Sequence, residues 1–194
     1  MELYVVRHGQ TDYNVKHIFQ GHADIPLNQV GTQQAKETAS KFQNIAVDEI
    51  LVSPLQRAIQ TASFISEVTN VKPVIEKRLI ERSFGDMEGK PSRPDWNIQM
   101  MLDYEKNYDY ENIEPIQSLF KRIYDFLDDI TQKYKDKSVV LVTHGAVSQP
   151  IECYFHGMPS VCDFEHLEPL TLKNCEVRKY TQRKIEKEKE DSER

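Results

Sequence analysis

Leu3-Tyr4-Val5-Val6-Arg7-His8-Gly9-Gln10-Thr11 is the stretch on which the reading of the whole chain turns. Its first four residues are β-prone and nearly continuous in apolar character, the pattern of a strand buried on both faces of a parallel sheet. Its second half reverses that character, with a cation, an imidazole and a glycine where the strand must end. Open parallel sheets bind ligands beyond the carboxyl ends of their strands, where backbone turns into loops. Arg7 and His8 therefore stand where such a sheet keeps its chemistry.

The same arrangement recurs twice. A run over 49–52 leads into Ser53-Pro54-Leu55-Gln56-Arg57, and a run over 139–142 leads into Thr143-His144-Gly145. Between these runs lie segments of helical spacing, roughly 31–43, 54–68, 116–134 and 146–155. The βαβα order predicts the α/β class: a three-layer sandwich with a mostly parallel sheet flanked by helices on both faces. Ser53 and Pro54 read as the cap and first residue of the second helix, whose N-terminus carries partial positive charge.

The 194 residues suit one catalytic domain over 1–182, with a small cap insertion over about 84–115. That insertion opens with Gly85, Gly89, Pro91 and Pro94 and continues as an acidic, aromatic stretch holding Trp96, Tyr104, Tyr108 and Tyr110. We read its aromatics as cap packing in preference to substrate contacts. From Gln182 to Arg194 ten of thirteen residues are charged, so 183–194 is expected to be a frayed or disordered tail.

The N-terminus shows no secretory pattern and no segment has a bilayer-spanning apolar length, so a cytoplasmic protein without membrane partners is expected. Three cysteines without CxxC spacing argue against a disulfide framework or a zinc site and read as buried thiols. A formal net charge of −6 disfavours nucleic acid as a partner. An anionic substrate would then need a local cluster of positive charge. Arg7, Arg57, His8 and His144, converging at one rim, suit a phosphate dianion, because arginine offers forked donors and keeps its charge. Gly9 and Gly145 would let backbone approach such a ligand. The nucleotide motifs GxxxxGK[ST] and GxGxxG and the zinc motif HExxH are all missing from the sequence, so neither metal nor cofactor is expected.

These residues resemble the histidine phosphatase superfamily, the phosphoglycerate mutase-like group. The resemblance runs through Arg7-His8-Gly9-Gln10-Thr11 with Asn14, Gln20-Gly21, and Asp24-Ile25-Pro26-Leu27-Asn28 with Gly31 and Gln34-Ala35. It continues through Ser53-Pro54-Leu55-Gln56-Arg57-Ala58, Leu79-Ile80-Glu81, Phe84-Gly85, Glu88-Gly89 and Thr143-His144-Gly145. It implies a metal-independent phosphohydrolase with His8 as phosphoryl acceptor, Arg7, Arg57 and His144 as the phosphate pocket, and Glu81 as proton donor. Asn14 matches a phosphate contact, and Gln20, Gly21 and Gly145 fall where the substrate is lined. Ile18 departs from the family, which often has arginine there.

Mutases of this kind hold their substrate carboxylate with cap cations, including a lysine that aligns with Ser92 here. From Asp95 to Pro115 the only basic residue is Lys106, against six acidic ones. The expected activity is therefore hydrolysis of small phosphomonoesters whose leaving group is neutral, cationic or aromatic. A cofactor-dependent phosphoglycerate mutase is the alternative, and an inactive phospho-ligand binder a third. The substrate's identity and the oligomeric state, a homodimer among the options, stay open from sequence.

Overall fold

Among the described residues five strands form one sheet: β1 (Glu2–Arg7), β2 (Glu49–Val52), β3 (Pro73–Ile75), β4 (Ser138–Thr143) and β5 (Val177–Thr181). The helices are α1 (Asp12–Val15), α2 (Gln29–Ser40), α3 (Gln56–Thr69), α4 (Ile116–Lys133), α5 (Gly145–His156) and α6 (Phe164–Leu167). These assignments come from a computed structural model that describes residues 1–92, 99, 101–109 and 112–181. The strand order is β3-β2-β4-β1-β5, and all neighbours are parallel except β5, which runs antiparallel to β1.

Strand alternation sorts the core into two faces. Leu3, Val5, Leu51, Val139 and Leu141 pack against Leu119, Ile123 and Phe126 of α4 and Val147 and Ile151 of α5. Tyr4, Val6, Ile50, Val52, Val140 and Val142 face the other way, onto Ala39 of α2 and Ala58, Ala62 and Ile65 of α3. Two helical layers thus sandwich the sheet, as the near-continuous apolar runs require. Burying each large apolar side chain here contributes roughly 1.5–3 kcal/mol.

Three local features differ from the sequence reading. β3 and β5 were not anticipated: β3 is three residues long, and β5 carries Arg178 and Lys179 on an edge of the sheet. Those charges are matched by Glu152 at 2.8 Å and Glu2 at 2.7 Å. Helix α3 starts at Gln56, not Pro54, and its N-cap Leu55 makes no side-chain cap. The Gln56 amide is instead taken by Asp24 Oδ1 at 2.7 Å. That carboxylate occupies the partially positive helix terminus.

From the cap segment, Gly85–Met87 forms a 3-10 turn, Met101 and Leu102 are buried, and Tyr104 packs edge-on against Phe120 at 5.0 Å. Trp96, Tyr110 and the charged tail lie outside the described residues. Cys153 and Cys175 are buried, Cys162 is partly exposed, and all three are free thiols. Among the described residues no helix is long and apolar enough to cross a membrane.

Candidate active site

The register of the central strands brings their ends side by side. Arg7 lies opposite Thr143, the His8 amide donates to the Thr143 carbonyl at 3.0 Å, and the Ser53 amide donates to the Val142 carbonyl at 3.0 Å. Three chain segments therefore leave the sheet at one rim, carrying His8, Ser53 and His144. His8, Arg57 and His144 are all essentially inaccessible, and the two imidazoles stand 5.1 Å apart between ring centroids.

His8 is held in one tautomer. Its Nδ1 lies 2.7 Å from its neighbour's carbonyl, Gly9 O. A carbonyl only accepts, so Nδ1 carries the ring proton and Nε2 keeps its lone pair. Burial, reinforced by the Arg57 and Arg7 charges, holds the imidazole well below its ordinary pKa, so the ring is neutral near pH 7. The Asn174 side-chain amide fixes the His8 carbonyl at 3.0 Å.

Three buried N–H groups beside this ring lack partners among the described residues: Arg7 Nε, Arg57 Nε and one nitrogen of His144, Nδ1. The rest of each side chain is tied down. Arg57 donates through Nη1 to Ala23 O and through Nη2 to Gly21 O, both at 2.8 Å, and Arg7 Nη1 donates to Leu172 O at 2.6 Å. Burial lowers Arg57 to about 10, which still leaves it charged at neutral pH. Leaving one buried donor unpaired costs roughly 1–3 kcal/mol, so three at one spot call for an acceptor-rich partner such as an anion.

That His144 Nδ1 is a donor follows from Ser53. His144 is neutral, its pKa held well below the usual value by burial and then by Arg57, His8 and Arg7. Its Nε2 sits 2.6 Å from Ser53 Oγ, which also accepts from the Leu55 amide at 3.4 Å. The fully buried hydroxyl has no other acceptor in reach among the described residues, so its hydrogen goes to Nε2. The single ring proton then sits on Nδ1.

Above this cluster lies a cavity of about 330 Å³ whose wall includes Arg7, Asn14, Gln20, Gly21, Glu81 and Gly145. His8, Arg57 and His144 are not in that wall. Glu81 is buried, its Oε1 accepting from the Arg82 amide at 2.9 Å and its Oε2 from the Ala146 amide, in the first turn of α5, at 3.4 Å. Neither the Arg78 nor the Arg82 guanidinium bonds this carboxylate: Arg78 serves Glu76 and Asp129, and Arg82 serves the Glu114 and Met101 carbonyls. Asn14 Oδ1 accepts from the Thr11 amide at 3.1 Å, which leaves its Nδ2 to offer the cavity. Gln20 Oε1 accepts from the Thr11 hydroxyl at 2.8 Å.

Two glycines at the cavity leave little room for a side chain. Gly21 has φ +49°, and a Cβ there would lie 2.0 Å from Glu88 Oε1. A Cβ on Gly145 would lie 3.2 Å from Arg7 Cζ. The apolar part of the lining is Ile18, Phe19, Phe84, Met101, Leu102 and Phe164, and Ser92 also lines the cavity. Among the described residues no group of three or more His, Cys, Asp or Glu side chains is placed to hold a metal ion.

The pattern of the histidine phosphatase superfamily (branch 1) matches residues 3–190. The chain belongs to that superfamily. Within it, the chain is 38% identical over 142 residues to "Uncharacterized phosphatase PhoE" of Bacillus subtilis, covering 73% of this chain and 70% of that one. It is 29% identical over 184 residues to "Probable phosphoglycerate mutase GpmB" of Yersinia pestis, covering 91% and 83%. Among solved structures it resembles a phosphoserine phosphatase of Entamoeba histolytica in complex with 3-phosphoglyceric acid, with TM-score 0.78 and 27% identity over 93% of this chain and 90% of that one. The expectation of a phosphohydrolase enzyme and that of the sandwich fold both hold within this histidine phosphatase superfamily.

Two residues at the site escaped the sequence reading as participants. Ser53 was read as a helix cap but turns its hydroxyl to His144. Asn174, far along the chain, steadies the His8 backbone. Each contact joins positions 91 or 166 residues apart, a separation at which no local pattern could signal them.

Proposed function

We propose that the protein hydrolyses small phosphomonoesters through a phosphohistidine on His8. The observation that carries this reading is the neutral His8 ring, its Nδ1 spent on Gly9 O and its Nε2 free, among three unpartnered buried donors. In the first step the Nε2 lone pair bonds to phosphorus and the ester P–O bond breaks. Arg7, Arg57 and the His144 Nδ1–H bind the oxygens on which charge spreads, the preorganised stabilisation on which phosphoryl transfer relies. Glu81, in the cavity wall, protonates the departing oxygen. In the second step Glu81 takes a proton from water, the water oxygen bonds to phosphorus, and the N–P bond breaks to return His8 and release phosphate. Asn14, Gln20, Gly21 and Gly145 line the substrate, Gly21 also by holding Arg57.

Hydrolysis is favoured over mutase action by the wall itself. Ile18 and Ser92 stand in it where the family often has an arginine and where mutases carry a carboxylate-holding lysine, and the Ser92 hydroxyl is spent on His17 O at 3.0 Å. Lys106 pairs with Asp103 at 3.2 Å and is not in this wall. A cytoplasmic setting, in which the three free thiols stay reduced, belongs to the same reading. Purified protein is expected to release inorganic phosphate from a panel of phosphomonoesters with chelator present, and His8→Ala to release none. Rapid interconversion of phosphoglycerates with little phosphate released would make the protein a mutase instead.

A further inference from the structure

One side of the cavity wall is built differently from the rest. Gln149, Thr171 and Glu168 line it in a row: Gln149 Nε2 donates to Thr171 Oγ1 at 3.0 Å, and that hydroxyl points to Glu168 Oε2 at 3.5 Å. With its amide nitrogen so engaged, Gln149 is left with Oε1, which is buried and has no partner among the described residues. Glu168 stands at the exposed end of the row, and among the described residues its carboxylate has only the long Thr171 contact. The row begins beside the phosphoryl pocket. A Cβ placed on Gly145 would touch both Thr171 Cγ2 at 3.3 Å and Arg7 Cζ at 3.2 Å, so the threonine and the guanidinium flank one glycine.

We propose that this row is the subsite for the alcohol half of the ester, and that it selects leaving groups carrying a protonated amine close to the phosphoryl oxygen. The inference rests on the phosphatase reading above. An ammonium only donates, and the two groups the row presents, Gln149 Oε1 and the Glu168 carboxylate, only accept. A carboxylate in the same place would meet Glu168 as a like charge, and a hydroxyl would offer a hydrogen bond without the Coulombic gain. Arg7 also acts electrostatically on Glu168, and a phosphoryl dianion bound against Arg7 would offset that charge. Arg82, the other cation in the wall, is committed to the Glu114 and Met101 carbonyls. Partial burial at the cavity rim pushes the Glu168 carboxyl up from its ordinary value, with Arg7 and the Thr171 hydroxyl opposing, and a bound ammonium would oppose it further.

The test compares kcat/KM for O-phosphoethanolamine and 2-hydroxyethyl phosphate, esters of equal length that differ by an ammonium or a hydroxyl. Wild type is expected to prefer the amine by about tenfold, the size of a charge-assisted contact at a partly solvated rim. Glu168→Gln keeps the shape and removes the charge, and should bring the ratio toward one, whereas Glu168→Asp should retain part of the preference. Equal rates in wild type would overturn the inference. So would a Glu168→Gln variant that slows both esters equally, since the carboxylate would then act through Arg7. 4-Nitrophenyl phosphate separates the two levels. Its turnover through His8 beside a ratio of one would sink the amine subsite alone, and its failure to react would sink the phosphatase reading and this inference with it.

Discussion

Ser53→Ala removes one buried hydroxyl that is not itself in the cavity wall. The lost O–H···N bond to His144 Nε2, 2.6 Å long, is what favours the tautomer with its proton on Nδ1. A buried hydrogen bond of this kind is worth about 0.5–1.5 kcal/mol net, and stranding its acceptor costs about 1–3 kcal/mol. Without it the ring regains the tautomer protonated on Nε2, and the Nδ1 donor is lost from a corresponding share of molecules. Complete loss of one such donor costs about 10²–10³ in kcat. A shifted tautomer forfeits part of that, so kcat should fall by about tenfold to a hundredfold while KM moves little, because the donor acts on charge that develops in the transition state. Steady-state kinetics on 4-nitrophenyl phosphate give the rate, and ¹⁵N spectra of the His144 ring give the tautomer. An unchanged kcat in folded variant protein, or a wild-type ring protonated on Nε2, would refute the reasoning.

Two further predictions come from the same cluster. Because His8 and His144 are held below their ordinary pKa of 6.5, the unfolded chain binds protons that the native chain refuses as pH drops below that value. Stability should be present above pH 6.5 and decline on acidification toward pH 5.5, read as a falling urea midpoint whose pH dependence is shallower in His8→Asn. A midpoint flat from pH 7.5 to 5.5 would contradict it. Gly21→Ala would force a Cβ to within 2.0 Å of Glu88 Oε1 at φ +49° and disturb the carbonyl that holds Arg57. It should cost about 1–3 kcal/mol in chemical denaturation and lower kcat/KM more than Gly89→Ala, which shares the backbone strain at φ +80° but whose Cβ meets nothing within 4 Å.

Much of this was legible in the chain because it is local. Strand-end motifs placed Arg7, His8, Arg57 and His144 at one rim, and the continuous apolar runs gave the sheet its two buried faces. Glu81 stood out through resemblance, since a carboxylate between Arg78 and Arg82 carries no pattern of its own. What stayed hidden depends on pairs far apart in sequence. β5 carries two adjacent cations whose distant partners are Glu152 and Glu2, and the α3 terminus is capped by Asp24 from an earlier loop. The cavity row shows the same dependence: Gln149 lies mid-helix and Thr171 in a turn, and neither position signals that the two side chains meet.

The most direct test is to trap the phosphoenzyme by rapid quench from a phosphomonoester and locate its phosphorus by ³¹P–¹⁵N correlation. The account predicts a single N–P bond, at Nε2 of residue 8, that is acid-labile and missing from His8→Ala. Phosphorus on Nδ1, on another residue, or nowhere during measurable turnover would contradict it.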